Sequence, residues 1–88
     1  MLSLLYTNQF KKDLKLARKR GKKLGKMDAI VSLLQEEKIL PEKNRNHRLD
    51  GNYRDHWECH IEPDWLLIYL KTSNTLTLVR TGTHSDLF

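Results

Sequence analysis

Eighty-eight residues with 39% hydrophobic content allow one domain, residues 1–88, around one modest core, because a chain this short buries only roughly 60–65% of its extended surface. No apolar run reaches the length of about 18 residues that a membrane span requires, and the start MLSLLYTNQF lacks the basic stretch and small-residue cleavage site of a signal peptide. The formal charge of +5 is unevenly placed, at +8 over residues 1–48 and −3 over residues 49–88, an asymmetry that favours a polyanion or an acidic protein as partner, with a merely solvated helix face as the alternative.

Taken in order, residues 2–6 suit a short strand, and Thr7 or Asn8 can cap a helix after it. Over 8–20, Phe10, Leu14 and Ala17 recur at helical spacing beside Lys11, Lys12, Lys15, Arg18 and Lys19. Gly21 and Gly25 bracket a connection to a second helix over about 26–37, where Met27, Ile30, Val31 and Leu34 form the apolar stripe. The two helices are expected as a hairpin against one face of a sheet. Nine Lys or Arg fall within 11–26, against Asp13 alone, and this run supplies affinity for a nucleic-acid backbone. Within it, Lys19, Lys22 and Lys23 are expected to meet nucleic-acid phosphates, which position a protein without reading sequence.

From Ile39 to Asn52 the pattern gives way to Pro, Asn, Asp and Gly, an extended polar connection containing His47 and Leu49. A loop this long in so small a chain is often functional. Beyond it, Trp57, Cys59 and Ile61 alternate with Glu58 and His60, the period of a half-buried strand. Glu62-Pro63-Asp64 suits a turn. Residues 65–71 are apolar on both parities and read as a central strand; a turn at 72–75 leads to a last strand over 76–81, ended by Gly82. The result is a three-stranded antiparallel meander joined by an N-terminal strand and covered by the helix hairpin.

Three histidines come from separate segments: His47, His60 and His84. Asp64 follows His60 closely, and Arg80 ends the last strand. Imidazoles titrate near neutral pH, so a pair can serve as general base and general acid without a metal. Cleavage of an RNA phosphodiester needs one group to take the 2′-hydroxyl proton, another to protonate the leaving 5′-oxygen, and a cation such as Arg80 to offset phosphorane charge. Trp65 offers a flat surface on which a base could stack. The same three histidines could form a metal set, but nothing in their spacing fixes one; they could also be incidental in a pure binding module. Cys59, one residue from His60, points to the other sheet face and belongs to the core. A single cysteine permits no internal disulfide framework and fits a reducing, cytoplasmic setting.

The segments N-H-R-L-D-G at 46–51, E-C-H-I-E-P-D-W-L-L-I-Y at 58–69 and R-T-G-T-H-S-D-L-F at 80–88 resemble the RelE/ParE superfamily of type II toxin–antitoxin toxins, and within it the YafQ-like mRNA interferases. The resemblance covers nearly the whole chain. It implies a small α/β (α+β) RelE-like domain, with a twisted antiparallel sheet of about four strands and two N-terminal helices on one face. It also implies cleavage of mRNA in the ribosomal A site, leaving a 2′,3′-cyclic phosphate or 3′-phosphate, with no metal or other cofactor. A cognate antitoxin would neutralise the toxin, with operator DNA bound only through the antitoxin complex and no membrane involved. ParE-type relatives instead poison DNA gyrase and lack such a histidine set. Mapped onto this chain, the resemblance makes His84 the general acid, His60 the leading general base, and Asp64 the group that orients an imidazole. His47 would hold a phosphate or share proton transfer, Arg80 would face the phosphorane, and Trp65 and Phe88 would hold the base and the terminal geometry.

Overall fold

The computed structural model describes all residues, 1–88. In chain order the elements are β1 (Ser3–Tyr6), α1 (Asn8–Lys19), α2 (Leu24–Gln35), β2 (His47–Arg48), β3 (Trp57–Glu62), β4 (Trp65–Lys71), β5 (Thr75–Gly82) and α3 (His84–Leu87), with 3-10 turns at Glu42–Asn44 and Gly51–Tyr53. The strands form one sheet in the order β1-β5-β4-β3-β2. The meander of β3, β4 and β5 is antiparallel as expected. Two features enlarge it. β1 lies parallel to β5, with Ser3 opposite Thr75 and Tyr6 opposite Leu78, a pairing open to β1 because two helices, not a tight turn, follow it. Within the polar connection, His47 and Arg48 pair with Glu58 and Trp57 and add a fifth, two-residue strand.

β4 is central, and its double-sided apolar pattern explains why. Trp65, Leu67 and Tyr69 face the main core, packed with Phe10 and Ala17 of α1 and Met27, Ile30, Val31 and Leu34 of α2. Leu66 and Ile68 point the other way, into a smaller cluster with Leu87 of α3. Leu66, Leu67 and Ile68 retain no exposed surface. Full burial of each such side chain contributes about 1.5–3 kcal/mol, so the central strand anchors both layers. A register shift between Ile68 and Tyr69 leaves Val79 as an extra residue on β5. This bulge is why residues 76–81 alternate poorly: Leu76 and Leu78 face the main core, and after the shift Thr81 is the next residue to be buried.

α1 begins where the sequence places it. Thr7 Oγ1 accepts from the Phe10 amide at 2.9 Å and donates to the Val79 carbonyl at 2.7 Å, so one hydroxyl caps α1 and fastens it to β5. α2 runs two residues ahead of its expected bounds, and its start has no side-chain cap. No helix is long and apolar enough to cross a membrane.

The tail after β5 forms a single helical turn closed by a capping box. Thr83 Oγ1 accepts from the Asp86 amide, and Asp86 Oδ2 accepts from the Thr83 amide. Arg20, at the end of α1, clamps the same carboxylate through Nη1 at 2.6 Å and Nη2 at 3.2 Å. Gly82 makes this possible. A Cβ there would lie 2.8 Å from Asp86 Oδ2 and 2.9 Å from Asp86 Cβ. Gly82→Ala is therefore expected to cost about 1–3 kcal/mol, the range for overpacking, with hydrogen exchange accelerating at residues 86–88. Urea unfolding and amide exchange check this; an unchanged midpoint would mean that Asp86 yields without loss.

Candidate active site

The sheet surface opposite α1 and α2 gathers polar groups that sequence distance separates. On β3, Cys59 turns into the core while Glu58 and His60 share the other face. The register of β2 sets His47 directly opposite Glu58. α3 starts with His84 beside the β3–β4 turn, which carries Asp64. The ring centroids of His47 and His60 are 6.3 Å apart, and those of His60 and His84 are 5.7 Å apart. The three histidines thus form one continuous row.

Each ring is held by a neighbour. Asp64 Oδ1 accepts both from His84 Nδ1 at 2.8 Å and from the His84 backbone amide at 2.9 Å. The first of these bonds fixes the proton on Nδ1 in the neutral ring and leaves Nε2 available for chemistry. His47 Nδ1 donates to the Arg45 carbonyl at 2.6 Å. Glu58 Oε1 lies 3.4 Å from His47 Nε2 and 3.7 Å from His60 Nε2. The Glu58 side chain is 5% exposed, and its Oε2 has no hydrogen-bond partner. A carboxylate oxygen so placed is costly, and the two imidazoles are the groups nearest to offset it. Glu58, His60 and His84 each present a ligand atom, and these lie within 4.8 Å of one another. Two imidazole nitrogens and a carboxylate form a donor set that suits zinc, copper or nickel.

Phe88 is 65% exposed and meets Tyr53 edge-on at 5.8 Å; Tyr53 in turn meets His56 at 5.6 Å. These rings provide an exposed aromatic step. Trp65 does not. It is 1% exposed and its Nε1 donates to Thr81 Oγ1 at 2.9 Å, so the expectation that a base stacks on it is corrected: the same apolar area that suits stacking is spent in the core. Arg80 stands beside both Asp13 of α1 and Tyr53 of this surface. Its Nε and Nη2 bind Asp13 at 2.7 and 3.1 Å, and it lines a recess on the α1 side with Trp65 and Asp86. The bulge at Val79 and the buried acid on α1 draw it there. Lys19 and Lys23 are exposed, whereas Lys22 binds Glu62 at 3.1 Å with its amine 5.7 Å above the Trp65 ring.

Glu58, Tyr53 and His56 are the residues of this surface to which sequence reasoning gives no role. For Glu58 the signal was present: a Glu-x-His spacing on a strand puts both side chains on one face. Cys59 is inert by contrast, since burial and then the Glu58 charge push its thiol up to about 12.

The Asp64 carboxyl is held below its ordinary value of 3.8, first by the His84 amide and then by the His84 ring. Because the folded value is depressed, its contribution to stability is present above 3.8 and is lost as pH falls through the folded value. In His84→Ala the ring bond disappears but the amide bond remains. The Asp64 titration followed by carboxyl NMR should then move only part of the way back to 3.8. A full return would show that the amide bond contributes nothing.

Residues 2–88 match the family described as bacterial toxin of type II toxin-antitoxin system, YafQ. The mRNA interferase toxin YafQ of Escherichia coli strain K12 is 42% identical over 84 residues, which cover 94% of this chain and 91% of that protein. In the crystal structure of the E. coli DinJ-YafQ toxin-antitoxin complex, the matching chain is 40% identical with a TM-score of 0.91, over 99% of this chain and 97% of that one. The crystal structure of a metal-bound toxin from Helicobacter pylori is 42% identical with a TM-score of 0.94 over 100% of both chains. Sequence, fold and the resemblance carried by its three motifs converge: this chain belongs to the YafQ family of type II toxin–antitoxin toxins.

Proposed function

We propose that the chain is a ribosome-dependent endoribonuclease that cleaves mRNA by attack of a 2′-hydroxyl on the adjacent phosphodiester. The observation that carries this reading is the pair His60 and His84, 5.7 Å apart on one open surface, with Asp64 orienting His84 and Glu58 beside His60. In the scheme His60 takes the 2′-hydroxyl proton, the oxygen attacks phosphorus, and the Nε2–H of protonated His84 passes its proton to the leaving 5′-oxygen. The first product is a 2′,3′-cyclic phosphate. His47, sharing Glu58 with His60, binds a phosphate oxygen or shares the base role. Phe88 and Tyr53 offer faces to an unpaired base. The E. coli interferase supports the reaction class, and the DinJ-YafQ complex supports a cognate antitoxin as partner, with operator DNA reached through that complex. The site of action is the cytoplasm, where translating ribosomes are.

A divalent cation held by Glu58, His60 and His84 would act as a Lewis acid toward the phosphate. It would also occupy the nitrogen lone pairs through which His60 and His84 exchange protons, so in the proton-transfer scheme added zinc or copper inhibits.

The test is single-turnover cleavage of mRNA on programmed ribosomes. His84→Gln should bind ribosomes normally and lose about 10²–10⁴ in rate, the range for a missing acid–base group. The wild-type pH profile should be bell-shaped, EDTA should leave the rate alone, and zinc should depress it. Full activity in H84Q, or a chelator-sensitive rate restored by metal, would overturn the scheme.

A further inference from the structure

We infer that the segment around Lys43 and Arg45 is the phosphate clamp for the RNA strand on one side of the cut. This inference rests on the mRNA-cleavage reading. It begins from a groove of about 590 Å³ in which His60 and His84 adjoin Lys26, Lys43 and Arg45. Lys26 is tied to Glu62 at 2.8 Å. Lys43 and Arg45 are exposed and belong to none of the ion pairs of the structure.

Their placement is built. Asn44, between them, is 5% exposed, and its Nδ2 donates to the carbonyl of His60 at 2.7 Å. Asn46 Oδ1 accepts from Tyr69 Oη at 2.6 Å. Arg45 itself adopts a left-handed backbone, φ 44°, which a non-glycine residue occupies at a cost, and its carbonyl receives His47 Nδ1. One buried anchor, one hydrogen bond to the buried Tyr69 and one strained residue therefore turn both cations toward the groove mouth and tie them to the strand that carries His60.

An anionic strand is the occupant that this chemistry recognises. A 2′-hydroxyl attack at His60 and His84 requires the neighbouring phosphates to lie against the walls of that groove. The wall opposite the histidines is cationic, whereas the one acid there, Glu62, is already held by Lys22 and Lys26. Phosphate contacts of this kind set register without reading bases.

The full-length Lys43→Gln/Arg45→Gln variant tests it, in single-turnover cleavage on programmed ribosomes across protein and KCl concentrations. The half-saturating concentration should rise on the order of tenfold with the plateau rate unchanged. The slope of its logarithm against log salt should fall by about 1.4, since each single-strand phosphate contact contributes about 0.7. The charge-conserving K43R/R45K variant should behave as wild type. Unchanged half-saturation, or a fallen plateau at constant half-saturation, would overturn the inference. Binding to ribosomes without mRNA should be equal for wild type and K43Q/R45Q; a matching loss there would place the cations on ribosomal RNA instead, also overturning it. If wild type cuts no RNA, the cleavage reading fails by itself. Anisotropy with a fluorescent single-stranded RNA oligonucleotide then still decides the clamp: weaker binding by K43Q/R45Q upholds it, and equal binding removes it.

Discussion

The buried hydroxyl of Thr81 holds together the parts on which everything else rests. It accepts from Trp65 Nε1 and donates to the Leu66 carbonyl at 2.7 Å, while the Thr81 amide donates to Asp13 Oδ2 at 3.2 Å. Asp13 then takes Arg80 in a two-point pair. One residue of β5 thus ties the start of β4, the middle of α1 and the root of α3. Each bond of this kind adds about 1 kcal/mol, but leaving one partner buried and unpaired costs about 1–3 kcal/mol, so the set holds or fails as a unit. Its position immediately before Gly82 and Thr83 makes it the rigid base from which His84 projects.

This arrangement divides the cations of the chain into two populations. Arg20, Lys22, Lys26 and Arg80 are spent internally, on Asp86, Glu62 and Asp13. Lys11, Lys12, Lys15, Arg18 and Lys19 stay exposed along α1. A count of charge in the sequence merges the two. The first group sets geometry, and its best-shielded pair, Arg80 with Asp13, resists salt most; the second shapes a long-range field that salt screens over roughly 8–10 Å.

Periodicity carried the strands and helices well, because alternation and the 3.6-residue stripe record which face is buried. The two-sided apolar pattern of 65–71 located the central strand, and the spacing around Cys59 placed the thiol in the core. Motif resemblance also grouped His47, His60, Asp64 and His84, which the fold brings to one surface. Trp65 looks available in a string of letters, but Thr81, distant in sequence, claims its indole. The pairing of His47 with Glu58 and the parallel placement of β1 depend on register between remote segments, which no local pattern encodes.

The parallel pairing of β1 with β5 also governs when the molecule can come into being. Ser3 meets Thr75 and Tyr6 meets Leu78, so the first strand has no ladder partner until nearly the whole sheet has been synthesised. At chain growth of about 5–20 residues per second, the strand waits seconds for its neighbour, and its contacts are among the most non-local that the topology contains. His84 follows β5 after one intervening residue. Sheet closure and assembly of the histidine row are consequently one late event, and a partial chain still on the ribosome lacks the site.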